Sequence, residues 1–128
     1  MTTKAMCRRT VNYYLKRSSG ACEPLLGDFI EIDLDLLNPV QISATGMDPY
    51  HLKKEYGKDL TFWGDVADTQ KILPKGTPDD VREDVKRNMN ALAKGGGFIF
   101  AAIHNIQADV PIENFIAMWK TFMDNRNC

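Results

Sequence analysis

No apolar run in this 128-residue chain approaches the roughly 18 residues a membrane helix requires, so a membrane span is not expected. Net charge is nearly absent: sixteen basic and seventeen acidic side chains leave −1, with no global field to draw nucleic acid. Cysteine is scarce. Cys7, Cys22 and Cys128 are odd in number and far apart, with no Cys-x-x-Cys pair and no zinc-finger spacing. That argues against a disulfide framework and for unpaired thiols in a reducing, cytoplasmic setting. Residues 1–20 hold no apolar run long enough for a secretory signal. No P-loop, HExxH or nucleophile elbow occurs. Gly95-Gly96-Gly97 precedes an apolar run instead of opening a helix, so it reads as a helix stop and tight turn, not a dinucleotide site.

What is present is an ordinary globular composition, 44% hydrophobic and 26% charged, in a length that suits one domain. The basic residues are unevenly spread. Lys4, Arg8, Arg9, Lys16 and Arg17 fall in the first twenty residues, which contain no acid. Such a start has the composition of an organelle transit peptide, but no long amphipathic helix follows, and a short basic surface segment over 1–10 is the favoured reading.

From Val11 onward short β-prone runs alternate with helical patterns. Val11–Leu15 reads as a strand, and Pro24 opens a helix carrying Leu25, Leu26, Phe29 and Ile30. Leu34–Val40 is a second strand, limited by Pro39, which should bend the chain out of the sheet. Asp48-Pro49 caps a short helix through Leu52 to Tyr56, with Gly57 as a left-handed stop. Leu60–Trp63 is a third strand, ended by Gly64. Thr77-Pro78-Asp79-Asp80 starts a helix whose apolar stripe is Val81, Val85, Met89 and Leu92. Phe98–Ile103 is a continuous apolar run, expected as a strand buried on both faces. Pro111 then opens a last helix with Ile112, Phe115, Ile116, Trp119, Phe122 and Met123 as a core-facing stripe. Four strand–helix units imply a parallel sheet and an α/β fold, either small and open or part of something larger.

Four phrases carry a resemblance. DFIEIDLDLLNPVQ at 28–41, GMDPYHLKKEYGKDLTFWG at 46–64, DTQKILPKGTP at 68–78 and GGGFIFAAIHNIQADVPIEN at 95–114 are similar to the C-terminal half of the uroporphyrinogen decarboxylase family. This superfamily also holds zinc-dependent methyltransferases of the cobalamin branch. The resemblance runs from about Val11 to Trp119 and implies a (βα)4 half of a TIM-type barrel over 11–128. It implies decarboxylation of tetrapyrrole acetate side chains, or a methyltransferase-like partial domain, or a non-catalytic subunit that pairs with another half-barrel. In the decarboxylases the principal aspartate and an arginine pair belong to the N-terminal half, so a partial domain without independent turnover is expected.

Sites in such barrels lie at the C-terminal ends of the strands. There His104 is the candidate catalytic group, since a family histidine at the matching place faces the substrate carboxylates and imidazole can donate a proton near neutral pH. Arg17, Ser19, Asn38, Gln41, Asp65 and Asn105 are the candidate substrate-binding residues. Arg17 stands where relatives carry histidine, and Ser19 where the methyltransferases carry cysteine. Guanidinium cannot ligate a metal and a hydroxyl ligates zinc poorly, so no metal and no cofactor are expected. Asp33 stands where relatives often have glycine, at a left-handed position that Asp tolerates better than most residues. His51 is expected at the surface. The expected partners are a tetrapyrrole or other small anionic substrate and a second half-barrel or second copy, with neither nucleic acid nor membrane.

Overall fold

The computed structural model describes residues 15–17, 21–64, 66–102 and 105–126. The basic segment 1–10 and most of the Val11–Leu15 run lie outside it. Its first strand, β1, is Leu15–Arg17. A 3-10 turn at Glu23–Leu25 leads into helix α1, Leu26–Glu31. Then come β2 (Leu36–Asn38), α2 (Pro49–Tyr56), β3 (Thr61–Trp63), α3 (Ile72–Lys75), α4 (Pro78–Leu92), β4 (Phe98–Ile99) and α5 (Ile112–Asn125). The strands form one sheet in the order β1-β2-β3-β4, and every pairing is parallel. The alternation of strands and helices forces this, because a helix must carry the chain back before the next strand begins.

Local chemistry sets the helix starts. Asp48 accepts the His51 backbone N–H at 2.9 Å, with Pro49 as the first residue of α2. Thr77 and Asp80 form a reciprocal capping box at the start of α4. Asp33 adopts φ +64 between α1 and β2. Gly95, Gly96 and Gly97 all have positive φ, which makes the turn from α4 into β4 tight.

Side chains on the two sheet faces alternate. Leu37 and Phe62 are fully buried and face the helices, with Leu26, Leu52, Leu60 and Leu92 in one cluster. A second cluster joins Val66 and Leu73 to Val81, Val85 and Met89 of α4 and Ala117 and Met118 of α5. Phe98 packs against both clusters. The opposite sheet face carries Leu36, Asn38, Thr61 and Trp63, all partly exposed, and Ile99, 37% exposed. A cavity of about 470 Å³ lies at its lower end, lined by Leu36, Thr61 and Ile99.

Several expectations need correction. Gly57 is not left-handed; its φ is −65, and a Cβ there would lie 2.4 Å from the Lys53 carbonyl oxygen, so close approach selects glycine. Pro39 breaks the ladder because it has no N–H, yet the chain does not leave the sheet, since Val40 N–H reaches the Trp63 carbonyl at 3.1 Å. Strand β4 has two residues and is not buried on both faces: among the described residues it has one neighbouring strand, and Ile99 on its uncovered side is 37% exposed. Leu25, expected on the helical face, is 49% exposed.

The largest correction concerns α5. Its buried residues are Asn114, Ala117, Met118 and Thr121. Ile112, Phe115, Ile116 and Trp119 are exposed, so Trp119 is not core. Ala117 and Met118 join Val81, Val85 and Met89 of α4 in the second cluster, and the large apolar stripe is exposed. Phe122 is half-buried and stacks on Phe100 with ring centroids 3.7 Å apart.

Candidate functional site

Four of the seven expected site residues, Arg17, Asn38, Gln41 and Asn105, lie among the described residues, at or beyond the C-terminal ends of β1, β2 and β4. Arg17 and Asn38, the last residues of β1 and β2, are direct register partners. Asn38 alternates with the buried Leu37 and so belongs to the uncovered face. Beyond the strands a series of backbone bonds keeps the exits together: Val40 N–H to Trp63 O at 3.1 Å, Gly64 N–H to Ile99 O at 3.0 Å, and Val66 N–H to Ala101 O at 3.3 Å. The segments after β2, β3 and β4 therefore share one rim. Gln41 is half-buried there, with its amide nitrogen 3.5 Å from the Ser43 hydroxyl. Asn105 is exposed, and its carbonyl accepts from the Gln107 side chain at 3.2 Å. Ser19, Asp65 and His104 lie outside the described residues, as does the side chain of Arg17.

Helix α4 braces this rim from behind. Asn88, fully buried, donates to the Val66 carbonyl at 3.3 Å, and Asp84 accepts the Asp68 backbone N–H at 2.8 Å. Burial pushes the Asp84 carboxyl above the ordinary range. These polar residues were not singled out in the sequence, since a carboxylate on an amphipathic helix ordinarily faces water.

A second polar group sits outside the rim. Glu23 accepts from the Tyr56 hydroxyl at 2.7 Å and pairs with His51 Nε2 at 3.3 Å. His51 is at the surface, as expected, but tied to this carboxylate, and its ring meets Tyr56 edge-on. A cavity of about 470 Å³ adjoins the group, with Glu23, Asp48, His51 and Arg87 among its walls. Sequence reasoning had no signal for it, because the partners are 28 and 33 residues apart. The Tyr56 hydrogen bond, and after it the His51 contact, hold Glu23 below the usual carboxylate range. The Glu23 carboxylate in turn pushes Tyr56 up to about 12. The Tyr56 contribution to stability is thus fully present below the ordinary tyrosine pKa near 10 and is lost as pH rises through about 12. In an alkaline ultraviolet titration, one of the four tyrosines should ionise late, and Glu23→Gln should return it to the ordinary range.

Among the described residues, no three His, Cys, Asp or Glu side chains are placed to hold a metal ion. No described helix is long and apolar enough to cross a membrane. The family model described as Uroporphyrinogen decarboxylase (URO-D) matches residues 19–124, most of the chain. It begins after β1, so Arg17 falls outside the matched span. Neither the curated proteins nor the solved structures include a match.

Proposed function

The chain belongs to the uroporphyrinogen decarboxylase family, and on that premise we propose that it carries half of a tetrapyrrole-carboxylate site, built as four βα units of a TIM-type barrel. The observation that supports this most is the shared rim, where Arg17 and Asn38 are in register and the exits of β2, β3 and β4 are hydrogen-bonded in series. Arg17 offers a cation, Asn38 and Asn105 amides, and His104, five residues beyond Ile99 along the chain, an imidazole. Gln41, Ser19 and Asp65 complete the polar set.

The chemistry follows from the substrate. Loss of carbon dioxide from a pyrrole acetate requires cations to hold the other carboxylates and an acid that protonates the carbon left behind. Charge-assisted hydrogen bonds of this kind contribute about 1.5–3 kcal/mol each, enough for weak binding by a few groups. The principal aspartate and arginine pair that the resemblance assigns to the family's N-terminal half have no counterpart among these residues, so binding without turnover is expected of the chain alone. Decarboxylation on this scheme asks nothing of a metal or cofactor.

Uroporphyrin, the stable oxidised ring, serves as the binding probe in a fluorescence titration. His104→Ala should weaken binding about tenfold, equal to roughly 1.4 kcal/mol. The octamethyl ester, which lacks the charges, should not bind. Equal affinity for acid and ester would overturn the carboxylate reading.

A further inference from the structure

The Glu23–His51–Tyr56 group sits outside the rim, and the chemistry of the rim does not use it. It adjoins the cavity of about 470 Å³ that lies among the 3-10 turn, the start of α2 and helix α4. That volume falls within the roughly 300–1,000 Å³ usual for a small-molecule site. The walls come from residues 23 to 87, and no sheet edge takes part. Ile42 and Met47 supply apolar surface, and Glu23, Asp48, His51 and Arg87 supply charge and hydrogen-bonding groups.

The hydrogen-bonding capacity of these four side chains is only partly used. Glu23 receives Tyr56 and His51 on Oε1, which leaves Oε2 open among the described residues. Glu23 is a carboxylate and only accepts, so the neutral His51 ring donates through Nε2 and its Nδ1 is an acceptor. Asp48 takes the His51 backbone N–H on Oδ2, and its Oδ1 is open in the same sense. These bonds hold Glu23, Asp48 and His51 in a fixed relation. Arg87 reaches the cavity from α4, which packs on α2. No described residue forms a hydrogen bond or ion pair with its guanidinium. Asp84 feels its charge, but that carboxyl is engaged by the Asp68 N–H at 2.8 Å.

One cavity thus presents open acceptors on Glu23, Asp48 and His51 and the N–H donors of Arg87. An ammonium brings three donors to such acceptors, and a carboxylate takes a bidentate pair from a guanidinium. A simple anion would meet like charge on Glu23 and Asp48, and a simple cation would meet like charge on Arg87. A molecule with both charges meets neither. We propose that this cavity binds a small zwitterion, an α-amino acid with an aliphatic side chain. Its ammonium lies against Glu23, Asp48 and His51, its carboxylate on Arg87, and its side chain on Ile42 and Met47. The inference goes beyond the decarboxylase reading and does not rest on it. Amino-acid binding without porphyrin binding would refute only that reading, and the reverse only this one.

An NMR titration of the full chain with L-leucine tests it. Binding should be one to one, with a dissociation constant of about 1 mM or tighter, and should shift the amide signals of Gly46, Met47 and His51. Isoamylamine, which lacks the carboxylate, and isocaproate, which lacks the ammonium, should each bind at least about tenfold more weakly. Arg87 is exposed, so Arg87→Gln spares the fold, and it should weaken L-leucine binding about tenfold or more. Glu23→Gln should do the same while leaving the affinity for uroporphyrin unchanged. No shift at tens of millimolar L-leucine, equal binding of isoamylamine or isocaproate, or full affinity in Arg87→Gln would each overturn the zwitterion site.

Discussion

Phe62→Ala should lower the unfolding free energy by about 3–5 kcal/mol, the cost of removing a large buried aromatic and leaving a cavity. Phe62 is fully buried on β3, an interior strand flanked by β2 and β4. It is in register with Leu37 on one side and Phe98 on the other. Phe98 touches both core clusters, so the space left behind cannot be filled without disturbing each of them. A typical margin is only about 5–15 kcal/mol, and most of a small one would go. Urea unfolding at fixed protein concentration measures it: the midpoint should fall with little change in slope. Phe62→Leu, which keeps most of the volume, should cost far less.

Asn114→Leu should destabilise by about 2–4 kcal/mol although it adds apolar volume. Asn114 is 1% exposed, and its amide nitrogen donates to the Leu73 carbonyl at 2.9 Å and the Gly76 carbonyl at 2.8 Å. It thereby ties the first turn of α5 to α3 and to the residue before the α4 cap. Leucine would leave both carbonyls without that donor, and each buried group so stranded costs about 1–3 kcal/mol. Asn114→Asp gives a sharper signature. A carboxylate facing two carbonyl oxygens must have its pKa raised in the folded state, so stability should be greatest below the ordinary carboxylate range and should fall as pH rises through the raised value. A flat profile for Asn114→Asp would mean that these hydrogen bonds do not govern the site.

These two residues mark what was legible in the sequence and what was not. The starts of α2 and α4 were readable because Asp48-Pro49 and Thr77-Pro78 act within one turn of backbone. The parallel sheet was readable because alternation of strand and helix admits little else. Val81, Val85, Met89 and Leu92 were readable as core, and all four are buried. The stripe on α5 was equally periodic, yet Ile112 and Trp119 are exposed, because periodicity identifies an apolar face without identifying its neighbour. Asn114 sat unnoticed on that helix, since one amide in a helix has no meaning until residues 38 and 41 positions away are placed against it. Gly57 was assigned the wrong role for a similar reason: a glycine ending a helix serves φ or closeness, and only the Lys53 carbonyl tells which.

The candidate site was legible through chain order. The order of strands assigned Arg17, Asn38 and Gln41 to one end of the sheet, although β1, β2 and β4 end at Arg17, Asn38 and Ile99 and not at Leu15, Val40 and Ile103, and the register of β1 with β2 sets Arg17 beside Asn38. The support for that rim was hidden. Asp84 and Asn88 look like the polar side of α4, and their contacts run to Asp68 and Val66 in a loop with no pattern of its own. The Glu23–His51–Tyr56 group joins two segments through side chains alone. Its separation in the chain exceeds anything that helical or strand spacing reports.

The most direct test is an anaerobic assay for coproporphyrinogen formed from uroporphyrinogen by the purified chain at micromolar concentration, with His104→Ala in parallel. A half site without a counterpart of the family's principal aspartate predicts product at the uncatalysed background for both proteins. Turnover well above background, abolished by His104→Ala, would contradict the account and show that the chain is a complete decarboxylase.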